Sequence, residues 1–184
     1  RGLVVLGPTQ SFYEETLANV RPPSLASRLA EALKSAVAKL VPETLFHETL
    51  KDDGVTQPVN NTSVISLLWV DGPRCLFTGD AGIPALEQAA DVLDQVSIAA
   101  GGIHIVQVPH HGSRRNVGPS VLNRLLGSIG QTEPRGSAIA SVATQGEPKH
   151  PAKKVANAFR RRGYPVRVTQ GRNSWFYADA PPRD

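Results

Sequence analysis

The chain has 184 residues, 40% of them hydrophobic, and carries a formal net charge of +4 with a sequence pI near 9.5. This length suffices for one domain with its own core, and no apolar run is long enough to span a membrane. The single cysteine excludes an internal disulfide, and nothing demands an oxidising compartment, so we expect a cytoplasmic protein. The mild positive charge permits an anionic substrate such as nucleic acid without establishing one.

The first third of the chain predicts a strand, two helices and a loop. The run GLVVL at 2–6 is typical of a buried strand, and Ser11 with Glu14 three residues later forms a capping-box pattern that predicts a helix start. Residues 24–40 repeat apolar side chains at helical spacing, which predicts an amphipathic helix. Residues 41–62 have no such period, so we expect a long and mobile loop.

The middle of the chain predicts a β-hairpin followed by a helix. Two β-rich runs, at 63–70 and 74–78, flank the turn sequence Asp71-Gly72-Pro73. The second run contains Cys75, which we interpret as a small core residue. The helix predicted at 84–96 should turn four apolar side chains inward, namely Leu86, Ala90, Leu93 and Val96.

The remaining elements continue the alternation of strands and helices. Strands are predicted at 103–108, 137–143, 166–169 and 174–177, and helices at 119–126 and 150–163. In the last helix Pro151 occupies the first turn and Gly163 the C-cap. This alternation predicts an α/β architecture, of the α+β layered kind, with helices packed against a sheet.

Three predicted strand ends carry side chains of the types that can bind metal ions. Asp80 lies in FTGDAG, His110 and His111 lie in VPHHGS, and His150 lies in GEPKHP. Carboxylate and imidazole together suit zinc, manganese or iron, and such an ion can activate water for hydrolysis. Asp80 is equally typical of a turn, and His150 of a solvated helix start, so the spacing alone makes a metal site only plausible.

A resemblance to a known family adds to this hypothesis. The ordered set of segments NNTSVISLLWVDGPRCLFTGD, VPHHGS, KHP and RVTQGRNS resembles the metallo-β-lactamase-fold hydrolases, and within them the ComEC-type branch that includes the hydrolase domain of competence proteins. The match covers roughly residues 58–175. The resemblance implies a four-layer αββα sandwich with a site for two zinc or manganese ions at one edge.

The resemblance also implies roles for individual residues. Asp80 corresponds to the aspartate that bridges the two metals, His110 and His111 to the His-His-Gly-Ser turn, and His150 to a later metal-binding histidine. The implied metal ligands are therefore Asp80, His110 and His150, and the implied catalytic residues are Asp80, His110 and His111. Asn60 and Asn61 correspond to substrate-binding or supporting positions.

Several neighbouring residues have two interpretations. Ser113 either caps the turn or donates a hydrogen bond to a substrate oxygen, and Arg114 and Arg115 either hold a phosphate at the rim or form a solvated surface pair. Six further basic residues could hold a nucleic-acid backbone, although the arginine run equally suits a helix C-terminus. They are Lys149, Lys153, Lys154, Arg160, Arg161 and Arg162.

The family's main metal motif, His-x-His-x-Asp-His, is absent from the sequence. We therefore expect residues 1–184, which begin at Arg1 and contain no methionine, to be the C-terminal half of the fold, with the N-terminal half of the same protein as partner. The alternative is a degenerate fold that has lost hydrolysis.

The favoured function is a metal-dependent phosphodiesterase or nuclease acting on DNA or RNA. Hydrolysis of a small ester, amide or thioester is an alternative, because the metal centre would look the same in the sequence. A non-catalytic subunit that completes the fold of a partner, or binds one, is another.

Overall fold

The computed structural model describes residues 2–20, 48–69, 71–143 and 150–171. They contain six strands, β1 Gly2–Gly7, β2 Ile65–Trp69, β3 Arg74–Phe77, β4 Ile105–Gln107, β5 Ser137–Ala140 and β6 Val166–Val168. The helices are α1 Gln10–Ala18, α2 Pro58–Asn61, α3 Ile83–Gln95, α4 Pro119–Leu126 and α5 Lys153–Arg161, with a 3₁₀ turn at Pro109–Gly112. The predicted helix at 24–40 and the predicted strand at 174–177 lie outside the described residues.

The six strands form one sheet in the order β1-β2-β3-β4-β5-β6. The pairs β1–β2 and β2–β3 are antiparallel, and the pairs from β3 to β6 are parallel. Parallel neighbours require crossover connections, and α3, α4 and α5 occupy the three crossovers between β3 and β6. The α/β class predicted from the sequence is therefore confirmed, and the carboxyl ends of β3, β4 and β5 lie along one edge of the sheet.

One face of the sheet packs against the helices and forms the core. Leu67, Leu76 and Val106 are at most 2% exposed and belong to the same buried cluster as the inner face of α3. Leu86, Ala90 and Leu93 on α3 are buried, as the helical spacing predicts. Val96 is 51% exposed because the helix ends at Gln95, so its predicted inward position is wrong.

The opposite face of the sheet is apolar and largely uncovered. The strand register places Leu3 beside Leu68 and Cys75, and Val5 in the row of Phe77. Leu3 is 64% exposed, Val5 61% and Phe77 44%. We call this surface the open face. Its apolar members are Leu3, Val5, Leu68, Cys75, Phe77, Ile105 and Ile139, and the register places Ser66, Gln107, Ser137 and Arg167 on the same face. Cys75 is thus half-exposed on the open face rather than in the core, and partial burial raises the pKa of its thiol.

Two predicted helix starts are shifted by local hydrogen bonding. The N-cap of α1 is Thr9 rather than Ser11, since the Thr9 hydroxyl accepts a hydrogen bond from the Phe12 amide at 3.4 Å. The last helix begins at Lys153 after Ala152, so Pro151 precedes it instead of lying in its first turn. Among the described residues, no helix combines the length and the apolar character needed to cross a membrane.

The described end of the predicted long loop is anchored to two helices. Glu48 forms an ion pair with Arg162 at 2.7 Å, and Asp52 accepts hydrogen bonds from the amide and hydroxyl of Ser120 at 3.0 and 2.7 Å. Asp52 therefore supplies an acceptor to the first turn of α4, which has no side-chain cap of its own. Over residues 48–57, the loop predicted at 41–62 is held at Glu48 and Asp52, while Lys51, Asp53 and Val55 are exposed; its predicted mobility stays a prediction.

Arg162 lies inside the protein. Its side chain is fully buried and binds Glu48, the Asn123 side chain and the carbonyl oxygens of Ala158 and Pro119. A buried, fully occupied guanidinium is inaccessible to a phosphate, so the suggestion that Arg162 holds a nucleic-acid backbone is wrong.

Candidate functional site

The His-His-Gly turn has an unusual backbone. His110 and His111 have φ angles of 45° and 58°, and Gly112 follows with φ 89°. The left-handed conformation costs roughly 1–2 kcal/mol for a residue that has a Cβ, and two such residues in succession are rare. Strained backbone of this kind concentrates at functional sites, where the surrounding structure holds it in place.

Three chain segments meet at this turn. The His110 amide donates to the Gly79 carbonyl at 3.0 Å, which joins the turn to the end of β3. The Ala152 amide donates to the Gly112 carbonyl at 2.9 Å, and a Cβ on Gly112 would overlap the Cβ of Pro151. The segments bearing Asp80, the histidine pair and His150 are thus adjacent, as the sequence interpretation requires.

The two imidazoles of the turn are both held through Nδ1. His111 Nδ1 lies 2.6 Å from the Ser141 carbonyl oxygen, which can only accept a hydrogen bond, so this nitrogen donates. His110 Nδ1 lies 3.2 Å from both Asn116 Oδ1 and Asn60 Nδ2. Within the described residues, neither Nε2 has a hydrogen-bond partner, which leaves both nitrogens available for a ligand.

His150 lies against the outer side of His110. The ring centroids of His110 and His150 are 6.4 Å apart with planes inclined by 22°, whereas the centroids of His110 and His111 are 5.7 Å apart with planes inclined by 62°. The three imidazoles therefore form a continuous group at the carboxyl ends of β4 and β5. His150 packs on a second histidine here, which a solvated helix start would not require.

Asp80 is fixed through its backbone. Its amide donates to the Ser63 hydroxyl at 3.1 Å, and its carbonyl oxygen accepts from Asn116 Nδ2 at 2.8 Å. The half-buried carboxylate makes no hydrogen bond or ion pair within the described residues. This carboxylate is therefore positioned by the turn and still free to bind a cation.

The Asn-Asn-x-Ser segment holds the turn after β3. Asn61 Oδ1 accepts from the Gly82 amide at 3.0 Å and from the Thr56 hydroxyl at 3.3 Å, while Ser63 holds the Asp80 amide. Asn60 contacts His110 instead. Of the two asparagines predicted to bind substrate or to support the site, Asn61 has its oxygen committed to structure, and Asn60 is placed to support the histidine.

The serine after the His-His-Gly turn is nearly buried, whereas the arginines that follow it are partly exposed. Ser113 is 9% exposed, and its hydroxyl accepts from the Arg115 amide at 3.3 Å, which is the turn-capping role. Arg114 and Arg115 are half-exposed. On α5, Lys153 and Arg160 are exposed, while Lys149 lies outside the described residues.

Asn116 is the residue that sequence reasoning missed. It is 1% exposed and connects the Asp80 turn with His110 through both atoms of its amide. An asparagine six residues after a histidine has no distinctive spacing. Its importance comes from burial and from the two carbonyl groups around it, which only the fold brings together.

The predicted metal ligands can be compared with the positions of the described side chains. No group of three or more His, Cys, Asp or Glu side chains among them is arranged to hold a metal ion. Asp80, His110 and His150, the three predicted ligands, lie on adjoining segments but do not converge as a coordination sphere. The chemistry of a free carboxylate and two imidazoles anchored through Nδ1 is compatible with metal binding, but these side chains alone do not form a metal site.

No protein-family model, curated protein or solved structure matches the chain. The similarity to metallo-β-lactamase-fold hydrolases therefore stays a prediction, and it depends on the quoted sequence segments. The site geometry stands independently of that prediction, since it follows from contacts within the chain.

Proposed function

We propose that the protein is a metal-dependent hydrolase whose substrate is a phosphodiester of DNA or RNA. The observation that supports this most is the strained His110-His111 turn, whose imidazoles are anchored through Nδ1 and whose backbone is hydrogen-bonded to Gly79, the residue before Asp80. An anchored Nδ1 with an open Nε2 is the arrangement found in metal-binding histidines.

The proposed cofactor is a pair of zinc or manganese ions. When bound, such ions polarise a phosphoryl oxygen and activate water. The residues of this chain proposed to hold them are Asp80, His110 and His150, with His111 positioned alongside as a catalytic residue. Asn60 and Asn116 keep His110 in place, and Ser113 and Gly112 maintain the turn.

The remaining ligands are proposed to come from a second layer that covers the open face. Leu3, Val5 and Phe77 expose apolar surface on the open face, and contiguous exposed apolar surface of this kind marks an interaction site. A second sheet there would produce the four-layer αββα sandwich, with this chain as its C-terminal half. The proposed partner is the N-terminal half of the same protein.

The substrate class is supported by charge. The chain has a net charge of +4, and the half-exposed Arg114 and Arg115 lie within five residues of the histidine pair. Exposed Lys153 and Arg160 extend the basic character along α5. Positive charge near the site favours a phosphate backbone over a small neutral ester. The cellular location that we propose is the cytoplasm.

A nuclease assay on the natural full-length protein tests the proposal. Single-stranded and double-stranded DNA and RNA, and a chromogenic ester, are incubated with manganese or zinc and with a chelator. We expect nucleic-acid cleavage that the chelator abolishes and His110→Gln removes. Turnover of the ester alone would replace the phosphodiesterase by the small-substrate hydrolase.

The open face also favours a second candidate function, a subunit that completes a partner's fold without catalysis. Full-length protein that binds neither metal nor nucleic acid, yet protects Cys75 on the open face from a thiol reagent, would support this function instead. Cys75 is the only cysteine among the 184 residues, and mass spectrometry of the peptide that contains it reports on the open face specifically.

A further inference from the structure

A buried asparagine links the two strand ends of the proposed site. Asn116 Nδ2 lies 2.8 Å from the Asp80 carbonyl oxygen and 3.2 Å from the Ala81 carbonyl oxygen. On the other side of the amide, Asn116 Oδ1 lies 3.2 Å from His110 Nδ1. At 1% exposure the side chain is shielded from water that might otherwise replace these partners.

The orientation of the Asn116 amide is determined by its surroundings. Backbone carbonyl groups only accept hydrogen bonds, so the nitrogen facing Asp80 and Ala81 donates both of its hydrogens. Turning the amide over would place its oxygen against two other oxygens in a buried site and leave all three without donors, which is costly. Asn116 therefore presents its oxygen to His110.

An amide oxygen cannot donate, so the hydrogen of this contact belongs to His110 Nδ1. We propose that Asn116 is a positioning residue that fixes His110 as the Nδ1–H tautomer and thereby leaves the lone pair of the neutral ring on Nε2. The backbone carbonyls of Asp80 and Ala81 fix the orientation of the Asn116 amide. Through that amide they also determine which nitrogen of His110 is free to bind a ligand. The further statement that this ligand is a metal ion rests on the proposed function.

The tautomer has a consequence for Asn60. Its Nδ2 is assigned 3.2 Å from the same His110 Nδ1, and two donors would then face each other. The oxygen and nitrogen of a side-chain amide are distinguished by their hydrogen-bond partners alone. The Asn60 amide consequently takes the reversed orientation, with its oxygen toward the Nδ1 hydrogen as a second acceptor.

Two other histidines provide internal references. His111 Nδ1 faces the Ser141 carbonyl oxygen, so His111 also has to be the Nδ1–H tautomer. His104 is the opposite case, because its Nδ1 accepts the Arg74 amide hydrogen at 3.1 Å and its proton has to be on Nε2. The same chain therefore contains both tautomers, fixed in each case by a backbone group.

Long-range proton–nitrogen NMR spectra test the proposal directly. The protein is labelled with ¹⁵N in its imidazoles, treated with a chelator and measured at alkaline pH, where histidines are neutral. Signals are assigned by the loss of each in His104→Gln, His110→Gln and His111→Gln. We expect His110 and His111 to show a bare Nε2 and His104 to show a bare Nδ1. A bare Nδ1 on His110, or averaging between its tautomers, would overturn the proposal.

Two asparagine variants separate positioning from packing. Asn116→Leu removes, at similar volume, the acceptor that the Asp80 and Ala81 carbonyls hold in one orientation. Among the described residues no backbone group holds the Asn60 amide, which can then present either its oxygen or its nitrogen to Nδ1. We therefore expect His110 to lose its single-tautomer pattern while His104 and His111 keep theirs. Asn60→Ala is the matched control; it removes a contact to the same nitrogen, yet the Nδ1–H tautomer should persist because Asn116 remains. Loss of the tautomer in Asn60→Ala and not in Asn116→Leu would contradict the assignment.

Zinc titration followed on the same signals connects the tautomer to the proposed function. We expect zinc to shift Nε2 of His110 in the full-length protein, and Asn116→Leu to weaken zinc binding by about 10–100-fold, as loss of such supporting contacts does elsewhere. If the tautomer is as stated and zinc leaves His110 unchanged, the proposed metal function fails while the positioning by Asn116 stands. Zinc binding through Nδ1 would contradict the positioning by Asn116 while leaving the metal function standing.

Discussion

At the scale of single residues, a substitution of Asp80 should affect activity without affecting stability. Asp80→Ala should abolish hydrolysis in the full-length protein, because the carboxylate is a proposed metal ligand. The free energy of unfolding should change by no more than about 0.5 kcal/mol, since the hydrogen bonds of Asp80 to Ser63 and Asn116 use backbone atoms that alanine retains. Activity assays and urea denaturation measure the two effects.

The control for this variant is Asp53→Ala, which removes an exposed carboxylate. It should leave both activity and stability unchanged. Near-normal turnover of Asp80→Ala at saturating metal would make Asp80 a turn former and not a ligand.

Arg162 and Arg160 form a matched pair at the end of α5. Arg162→Ala leaves the Glu48 carboxylate, whose side chain is only 13% exposed, without its cation. Removing one partner of a buried ion pair costs roughly 3–5 kcal/mol. Arg160 is exposed, so Arg160→Ala should cost about 0.5 kcal/mol or less. Similar midpoints for the two variants in urea denaturation would contradict the structural role of Arg162.

These residues also show where sequence reasoning fails. The run of three arginines, 160–162, gives no sign that its third member is buried, because its partner Glu48 is 114 positions away. Asn116 was missed for the same reason, since its carbonyl partners lie more than 30 positions upstream. Asp80 and the histidine pair were predictable because strand ends followed by glycine turns are visible locally.

At the scale of elements, the His-His-Gly turn depends on the absence of a side chain at Gly112. Gly112→Ala adds a Cβ at φ 89° and forces it against Pro151, whereas Gly130→Ala adds a Cβ at a similar φ of 93° with no atom within 4 Å. Both variants pay the conformational cost of roughly 1–2 kcal/mol. In Gly112→Ala alone, the overlap with Pro151 should lower the free energy of unfolding further, by about 1–3 kcal/mol.

Urea denaturation of the two glycine variants gives the comparison. Equal losses of unfolding free energy would show that the segment 150–152 does not press on the turn. A larger loss in Gly112→Ala, with reduced metal binding, would confirm that this segment holds the histidines in place.

Elements with local signals were predicted well, and their ends were not. The hairpin β2–β3 was visible from Asp71 and Gly72, which take the φ angles of 51° and 116° that such turns need. The inward face of α3 followed from its spacing, but the exposed position of Val96 depends on where the helix stops. The start of α5 after Ala152 is likewise set by its hydrogen bond to Gly112, a tertiary contact.

At the scale of the whole molecule, the sheet is stabilised from one side by helices and presents the open face on the other. The run SVISLLWV at 63–70 has apolar residues at successive positions, a pattern typical of a strand that is covered on both faces of its sheet. The structure places Ile65 and Leu67 in the core and Leu68 on the open face. The sequence shows that the strand is apolar at positions on both faces, but it does not indicate what would pack on the open face.

Adjacent residues on β3 test which face a partner covers. Leu76 is 1% exposed in the core and Phe77 is 44% exposed on the open face. Leu76→Ser should reduce the unfolding free energy of the chain by at least about 2–5 kcal/mol, while Phe77→Ser should cost less, about 1–2 kcal/mol, because only about half of its surface is buried.

The order of the two effects should reverse for association. The chain should self-associate or bind its N-terminal half, because an exposed apolar face of this kind is unfavourable in water. Phe77→Ser should weaken that association, as measured by light scattering, and should keep Cys75 reactive toward a thiol reagent when the partner is added. A wild-type chain that remains a stable 19.7 kDa monomer, with Cys75 equally reactive in the presence of its N-terminal half, would contradict the second layer. The missing metal ligands would then have to come from elsewhere.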